Sequence, residues 1–98
     1  MHEVRLTGDI DRGAQAQLDD GYAAARAAGA TEVLLDFGAT TYINSSGIAL
    51  IVSVLARARA DGVAVSARGL SDHYREIFEV TRLSDFVTIL DGEGAGHA

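Results

Sequence analysis

The sequence predicts an α/β layer fold: a mixed, largely parallel sheet of about four strands, packed by three or more helices. Short apolar or alternating segments, which are typical of strands, take turns with longer segments whose apolar residues recur at helical spacing. Strands that alternate with helices favour parallel pairing, because each helix returns the chain to the start of the next strand. With 98 residues, 48% of them hydrophobic, the chain has room for one domain with its own core.

The first strand and the first helix follow from two different periods. Residues 2–8 alternate apolar and polar side chains, as a half-exposed strand does, and Gly8 to Asp11 are predicted to end it. Residues 13–28 are rich in alanine, and their larger apolar residues have helical spacing. Gly29 is placed to end that helix.

The centre of the chain is predicted to form a strand, a loop, a second helix and a third strand. Val33 to Phe37 form a short apolar run, as expected of a central strand that is covered on both faces. Residues 38–44 are predicted to be loop, and a helix is predicted to begin at Ser45 and run to about Ala60. Asp61 and Gly62 end it, and residues 63–66 begin the next strand.

The last predicted elements are a short helix and a fourth strand. Ser71 is a good N-cap for the helix, with Asp72 in the first turn. Residues 86–90 are predicted to form the strand. The single domain then spans residues 1–90, and the Gly-rich residues 91–98 are predicted to be a flexible tail.

Composition excludes several classes of function. The net charge is −6, and the eight basic residues, all arginine, are scattered singly, so nucleic acid is not an expected partner. There is no cysteine, and the three histidines are far apart in the sequence, so neither a metal nor another cofactor is expected. The longest apolar stretch, Gly47 to Ala56, is too short to span a membrane, and the N-terminus lacks a signal-peptide pattern. The sequence therefore predicts a soluble, cytoplasmic protein.

The segment YINSSGIAL, residues 42–50, is the candidate functional site. Residues 37–56 contain no charged side chain in a protein that is 22% charged. The second helix therefore begins with unpaired N–H groups and a positive dipole end, and no acidic side chain neutralises it. Such a helix start can accommodate a phosphate. Three interpretations of Ser45 and Ser46 stay open: helix caps, nucleophiles, or acceptors of a phosphoryl group.

A small serine hydrolase is the weakest of these interpretations. Ser45, His73 and Asp36 supply the residue types of a triad, but almost any chain of this length would. A nucleophile elbow needs glycine two residues before the serine, and Ile43 stands there. We therefore expect no enzymatic activity.

Several segments taken in order resemble the STAS family, the anti-sigma factor antagonist domains of bacteria that also occur on sulfate transporters. The resemblance covers residues 4–90 and rests on segments that together are more specific than any one of them. These are Leu6–Asp11, Val33–Phe37, Ile43–Ile48, Asp61–Val63, Gly69–Ser71, Phe78–Thr81 and Leu83.

The resemblance implies a switch that is controlled by phosphorylation. In the family, an anti-sigma factor that is also a serine kinase, of the histidine-kinase-like ATPase type, phosphorylates one serine, and a serine phosphatase reverses the reaction. The unphosphorylated domain binds the anti-sigma factor and so releases the sigma factor. That serine corresponds to Ser45, with Ser46 as second choice, and Asp11, Asp36 and Gly47 are implied to surround it.

Two departures from the family pattern lead to further expectations. Asn44 stands where the family most often has aspartate. The asparagine side chain keeps the shape of aspartate but lacks its negative charge. Asn44 thus favours a rival function, a STAS scaffold that is never phosphorylated or that holds a small anionic ligand at the same helix start.

The chain also begins at what corresponds to the family's second strand, which implies an exposed sheet edge and a route to a weak homodimer.

The surface that binds the partner is predicted to lie beside Ser45. Ile48, Ile51 and Val52 form an apolar series at the start of the second helix, and Tyr42 precedes it. Each of the three helix residues could instead lie in the core. Those that are exposed would form the docking face together with Tyr42.

Overall fold

Four strands and three α-helices alternate along residues 1–90, the part of the chain that this computed structural model describes. In chain order the elements are β1 (His2–Ile10), α1 (Gln15–Ala27), β2 (Glu32–Ile43), α2 (Ser45–Asp61), β3 (Ala64–Arg68), α3 (Asp72–Val80) and β4 (Thr88–Ile89). Short 3₁₀ turns at Arg12–Ala14 and Leu83–Asp85 precede α1 and β4. The predicted tail, residues 91–98, lies outside the described residues.

The sheet has the order β1-β2-β3-β4, and each of its three pairings is parallel. The predicted α/β fold with four strands and three helices is confirmed. Within residues 1–90 no helix combines the length and the apolar character that crossing a membrane requires.

One hydrophobic core lies between the sheet and the helices. Alternate residues of β2, namely Val33, Leu35 and Phe37, point into it, where they meet buried residues of α1 and α2 such as Leu18 and Ile51. The ring of Phe37 meets that of Phe78, from α3, edge to face at 6.1 Å. Burying a side chain of this size contributes about 1.5–3 kcal/mol, so these contacts fix the helices on the sheet.

The opposite face of the sheet is polar rather than covered by helices. Leu34 is buried on this face but stands outside the core cluster, and the register places it between Glu3 and Ser66. The guanidinium of Arg68 binds the carboxylates of both Glu3 and Asp36 across the sheet. The prediction that the central strand is covered by packing on both faces is therefore wrong for this face, where an ion-pair network takes the place of a helix.

Strands β1 and β2 are longer than predicted. The segments 8–11 and 38–44 were expected to be turn and loop, because glycine and small polar residues usually interrupt strands. In the structure they pair with each other as far as Ile10 and Ile43, with register shifts after Arg5 and after Gly8. Gly8 has a φ of 72°, which a residue without Cβ adopts easily. Because this irregular pairing continues, β1 and β2 end side by side.

The third helix and the last strand agree with the prediction to different degrees. Ser71 caps α3, because its hydroxyl oxygen accepts a hydrogen bond from the backbone N–H of Tyr74 at 3.3 Å. The predicted strand at 86–90 is reduced to Thr88–Ile89, and the backbone N–H of Leu90 adds one hydrogen bond to Ala67. Phe86 lies before the strand and is exposed.

Candidate functional site

The candidate site lies where β1 and β2 end side by side. Ile10 pairs with Ile43, and the N–H of Asn44 donates to the carbonyl oxygen of Ile10 at 3.3 Å. Asp11 and Asn44 therefore leave the sheet at the same end, and α2 begins there with Ser45. In open α/β sheets, ligands bind outside the carboxyl ends of the strands, which is the end of the sheet where this site lies.

Asn44, not a serine, caps α2. Its Oδ1 accepts a hydrogen bond from the N–H of Gly47 at 2.9 Å, and its backbone is extended, as at an N-cap. Its carbonyl oxygen accepts the first helical bond, from Ile48, at 2.9 Å. The interpretation of Ser45 or Ser46 as the cap is wrong, and the first turn has one unpaired N–H group fewer than expected.

Gly47 is required by packing. It is buried, and a Cβ at this position would lie 1.7 Å from the carbonyl oxygen of Ile10, which is a backbone atom and cannot rotate away. Every other residue would push α2 off the end of β1. Since the missing side chain admits the strand backbone, Gly47 holds the site together but does not open it to a ligand.

The two serines have different surroundings. Ser45 is exposed and Ser46 is half-buried. Neither hydroxyl makes a hydrogen bond within residues 1–90, so neither is held by a base. The first turn of α2 contains no acidic residue, which leaves the positive end of the helix dipole uncompensated by a side chain. Of the two, Ser45 is the more exposed residue.

The structure places Asp11 at the site and Asp36 away from it. Asp11 accepts a hydrogen bond from the N–H of Gly13 at 2.8 Å and caps the turn that follows β1. Asp36 pairs in register with Arg5, five residues before the end of β1, which is about 16 Å along the strand. Its expected place beside the serine is therefore wrong.

Asp36 instead belongs to the ion-pair network on the polar face of the sheet. A hydrogen bond from the N–H of Gly38, at 2.9 Å, is the largest cause that holds the pKa of the Asp36 carboxyl below its usual value. The guanidinium of Arg68, at 3.1 Å, lowers this pKa further. Both groups favour the charged carboxylate, so Asp36 is an ionised anchor of the sheet.

The predicted docking residues separate into exposed and buried ones. Tyr42 is 52% exposed and Val52 is 43% exposed, whereas Ile48 is half-buried against the core. Ile51 has no exposed surface at all. Its assignment to the docking face is wrong, because the inward side of α2 carries it into the core.

An exposed row of residues, apolar in its middle part, runs from Ser45 along the outer side of α2. Steps of four and three residues connect its members, all of which are exposed: Ser45, Ala49, Val52, Ala56 and Arg59. We call this set the α2 row. Its far end borders an apolar groove of about 180 Å³, whose lining includes Val52, Leu83 and Phe86. The guanidinium of Arg59 lies 5.0 Å from the centre of the Phe86 ring.

Sequence reasoning missed the far half of this surface. The pattern predicts a strand at Phe86 and does not distinguish Ala56 and Arg59 from the rest of α2. The signal was present, since stepping by four and three residues from Ser45 along a helix selects the row. Only the fold, however, brings Phe86 against α2.

The structure offers no support for a hydrolase. Among residues 1–90 no histidine or carboxylate hydrogen-bonds to either serine, and no group of three potential ligands could hold a metal ion. His73 lies exposed in the first turn of α3, with its ring 5.0 Å from that of Tyr74.

Fold and site together define a small parallel α/β domain with an accessible serine at a helix start and an apolar surface beside it. The chain belongs to the STAS domain family: the family model described as "Mlab, STAS domain" matches residues 2–90. The resemblance in the sequence is thereby confirmed.

Similar proteins agree with this assignment. The anti-sigma-B factor antagonists of Staphylococcus aureus strains NCTC 8325 and COL are each 24% identical to this chain over 92 residues, which is 94% of this chain and 85% of theirs. Unphosphorylated SpoIIAA, an anti-sigma factor antagonist, superposes with a TM-score of 0.69 at 21% identity, over 92% of this chain and 78% of its own. The phosphorylated form of SpoIIAA, a Bacillus cell fate determinant, gives 0.66 at 23% identity, over 95% and 85%. These structural likenesses establish the fold.

Proposed function

We propose that this protein is a phospho-regulated binding module that acts as an anti-sigma factor antagonist and is not an enzyme. Unphosphorylated, it binds an anti-sigma factor through the α2 row and the adjoining groove. The same partner, a serine kinase of the histidine-kinase-like ATPase type, phosphorylates Ser45 and so ends the interaction, and a serine phosphatase restores it. The observation that carries the proposal is the position of Ser45, exposed at the head of the α2 row.

The transfer requires little chemistry from this chain. The Ser45 Oγ attacks the γ-phosphorus of ATP, the bond from that phosphorus to the β–γ bridging oxygen breaks, and ADP leaves. The hydroxyl proton passes to a base of the kinase, since Ser45 has no hydrogen-bonded base of its own within residues 1–90. Catalysis of phosphoryl transfer depends mainly on positioning and on the kinase's metal ion. This chain contributes a hydroxyl held at a fixed place by the capped start of α2.

A phosphate on Ser45 would change docking far more than folding. It adds about −1.5 to −2 charges. The backbone N–H groups of the first turn and the helix dipole stabilise a negative charge there, and the first turn contains no carboxylate to repel it. One and two helical turns away, however, lie Ala49 and Val52, which an apolar partner surface would cover. Desolvating a phosphate against such a surface is costly, so the complex would separate.

The names of the relatives support the same role. Proteins that are 24% identical over almost the whole chain are called anti-sigma-B factor antagonists. A protein of the same fold has been solved in an unphosphorylated and a phosphorylated form. Asn44 is compatible with this function, because asparagine caps a helix about as well as aspartate does.

Intact-mass measurement after incubation with the cognate kinase and ATP tests the proposal. We expect a gain of one phosphate in the wild-type protein and in Ser46→Ala, and no gain in Ser45→Ala. No gain in the wild type, or a gain that survives Ser45→Ala, would overturn the switch.

A second candidate function is a STAS scaffold that binds its partner without being phosphorylated, or that holds a small anion at the start of α2. Asn44 favours it, because the cap is neutral where the family pattern has an acid. The same mass measurement separates the two, because a scaffold gains no phosphate.

A further inference from the structure

The outer side of β1 is a free sheet edge. The order β1-β2-β3-β4 places this nine-residue strand at one side of the sheet, and no other strand of residues 1–90 pairs with its outer side. Unpaired N–H and C=O groups along such an edge can accept another strand.

One part of this edge is already closed by a side chain. The amide of Gln17, on α1, accepts a hydrogen bond from the N–H of Thr7 at 2.7 Å and donates one to the Thr7 carbonyl at 3.2 Å. The Gln17 amide thus occupies the place of a neighbouring strand at Thr7. The free part of the edge is residues 2–6, whose centre is Val4.

The same hydrogen bonds show which backbone groups face outward. Both groups of Thr7 point away from β2, and alternate residues of a strand point their backbone groups to the same side. Side chains of residues 3–7 alternate, with Val4 and Leu6 buried and Glu3, Arg5 and Thr7 exposed, since the extra residue of the register shift after Arg5 lies on β2. Glu3 and Arg5 therefore direct their N–H and C=O groups to the outer edge, and their charged side chains to the polar face.

We propose that residues 2–6 pair antiparallel with the same residues of a second copy of this chain, around a two-fold axis at Val4. This register places Glu3 opposite Arg5 of the partner and Arg5 opposite Glu3 of the partner. Each of these two pairs forms two backbone hydrogen bonds and one ion pair. The two sheets become one eight-stranded sheet with the helices of both copies on the same face.

Other registers are disfavoured by charge and by Gln17. An axis at Glu3 or at Arg5 places that residue opposite its own copy, and like charges directly opposite are destabilising. An axis at Leu6 moves the pairing onto Thr7, whose backbone is taken. Only the axis at Val4 joins opposite charges and leaves the Gln17 contact intact.

The helix above this edge leaves room for a partner. Gly21 of α1 packs against Val4, where a Cβ would lie 2.4 Å from a methyl group of the valine. Ala24, one turn further along α1, is exposed and small.

The interface is small. Since only five residues of each copy pair, the buried area is far below the total of about 1,200 Å² that a stable complex buries. The dimer is therefore weak and concentration-dependent.

Sedimentation equilibrium between about 10 μM and 1 mM tests the proposal. We expect a monomer–dimer equilibrium in the wild type. Arg5→Glu and Glu3→Arg should each raise the dimer Kd about tenfold, because each creates two like-charge pairs across the axis. The double variant should bring the Kd back towards that of the wild type. A monomer at every concentration, or a dimer that ignores the single reversals, would overturn the proposal.

Two controls separate the edge from effects on folding. Arg68→Gln removes the intramolecular partner of Glu3 without touching the edge backbone and frees the carboxylate for Arg5 of the second copy, so we expect it not to raise the dimer Kd. In the wild type, amide exchange of Glu3 and Arg5 should slow as the protein concentration rises, while that of Thr7, already bonded to Gln17, should not change. Exchange at Glu3 and Arg5 that is independent of concentration would also refute the pairing.

Discussion

Asn44 joins the candidate site to the fold with three hydrogen-bonding groups. Its N–H binds the end of β1, its carbonyl begins the helical ladder, and its side chain caps the N–H of Gly47. This leaves the hydroxyl of Ser45, the next residue, without a structural task. The residue that departs from the family pattern is thus the one that makes the adjacent serine available.

Substitutions at this junction separate the cap from the acceptor. Asn44→Ala should lower the free energy of unfolding by about 1 kcal/mol, because it removes a helix cap, whereas Asn44→Asp should preserve stability. Ser45→Ala should stay within about 0.5 kcal/mol of the wild type. Urea unfolding at pH 7 measures all three. A larger loss for Ser45→Ala than for Asn44→Ala would mean that the serine is the cap.

Tyr22 gives stability a dependence on alkaline pH. Burial, and then a hydrogen bond from its Oη to Asp61 at 2.6 Å, raise the pKa of Tyr22 from 10.0 to about 12. Between these two pKa values the Tyr22 hydroxyl keeps its proton in the folded state and loses it in the unfolded state. Its contribution to stability is complete below pH 10 and is lost as the pH rises from 10 to about 12.

The pH dependence of unfolding checks this. Because the chain has no lysine, few other groups titrate in this range. The free energy of unfolding should fall between pH 10 and 12 in the wild type, and less so in Tyr22→Phe, which should be less stable below pH 10. An equal fall in both proteins would show that Tyr22 is not responsible.

At the scale of elements, α2 has two sides with different tasks. Ile51 is fully buried and Val52, its neighbour, is 43% exposed, so one step along the sequence separates the core from the proposed docking face. The helical period predicted such a division, but the sequence could not tell which side faces the sheet. Gly47 settles that, because its contact with Ile10 fixes the rotation of α2 on the sheet.

Variants on α2 test the docking face. Val52→Asp should weaken binding of the anti-sigma factor at least about tenfold, because it places a charge in the apolar part of the row, with little effect on stability at an exposed position. Ser53→Asp, exposed on the same helix but outside the row, is the matched control and should bind normally. Calorimetric titration measures both affinities. Wild-type affinity in Val52→Asp would remove the α2 row from the interface.

For the whole molecule, local pattern predicted the types of the elements and the fold class. It missed the full length of β2, because Gly38 and the threonines after it resemble loop and only their pairing with β1 makes them strand. The family resemblance, in turn, placed Asp36 at the wrong site. Charge content does not reveal that Arg68, distant in sequence, draws this carboxylate to the polar face of the sheet. Non-local partners account for both errors.

In the proposed switch, one hydroxyl at the carboxyl end of the sheet would control binding along the exposed side of α2. The most direct test is the affinity of the anti-sigma factor for purified unphosphorylated and Ser45-phosphorylated protein, measured side by side by calorimetry. We predict tight binding of the unphosphorylated form and binding on the order of 100-fold weaker after phosphorylation, with unchanged circular dichroism. Equal affinity of the two forms would contradict the account.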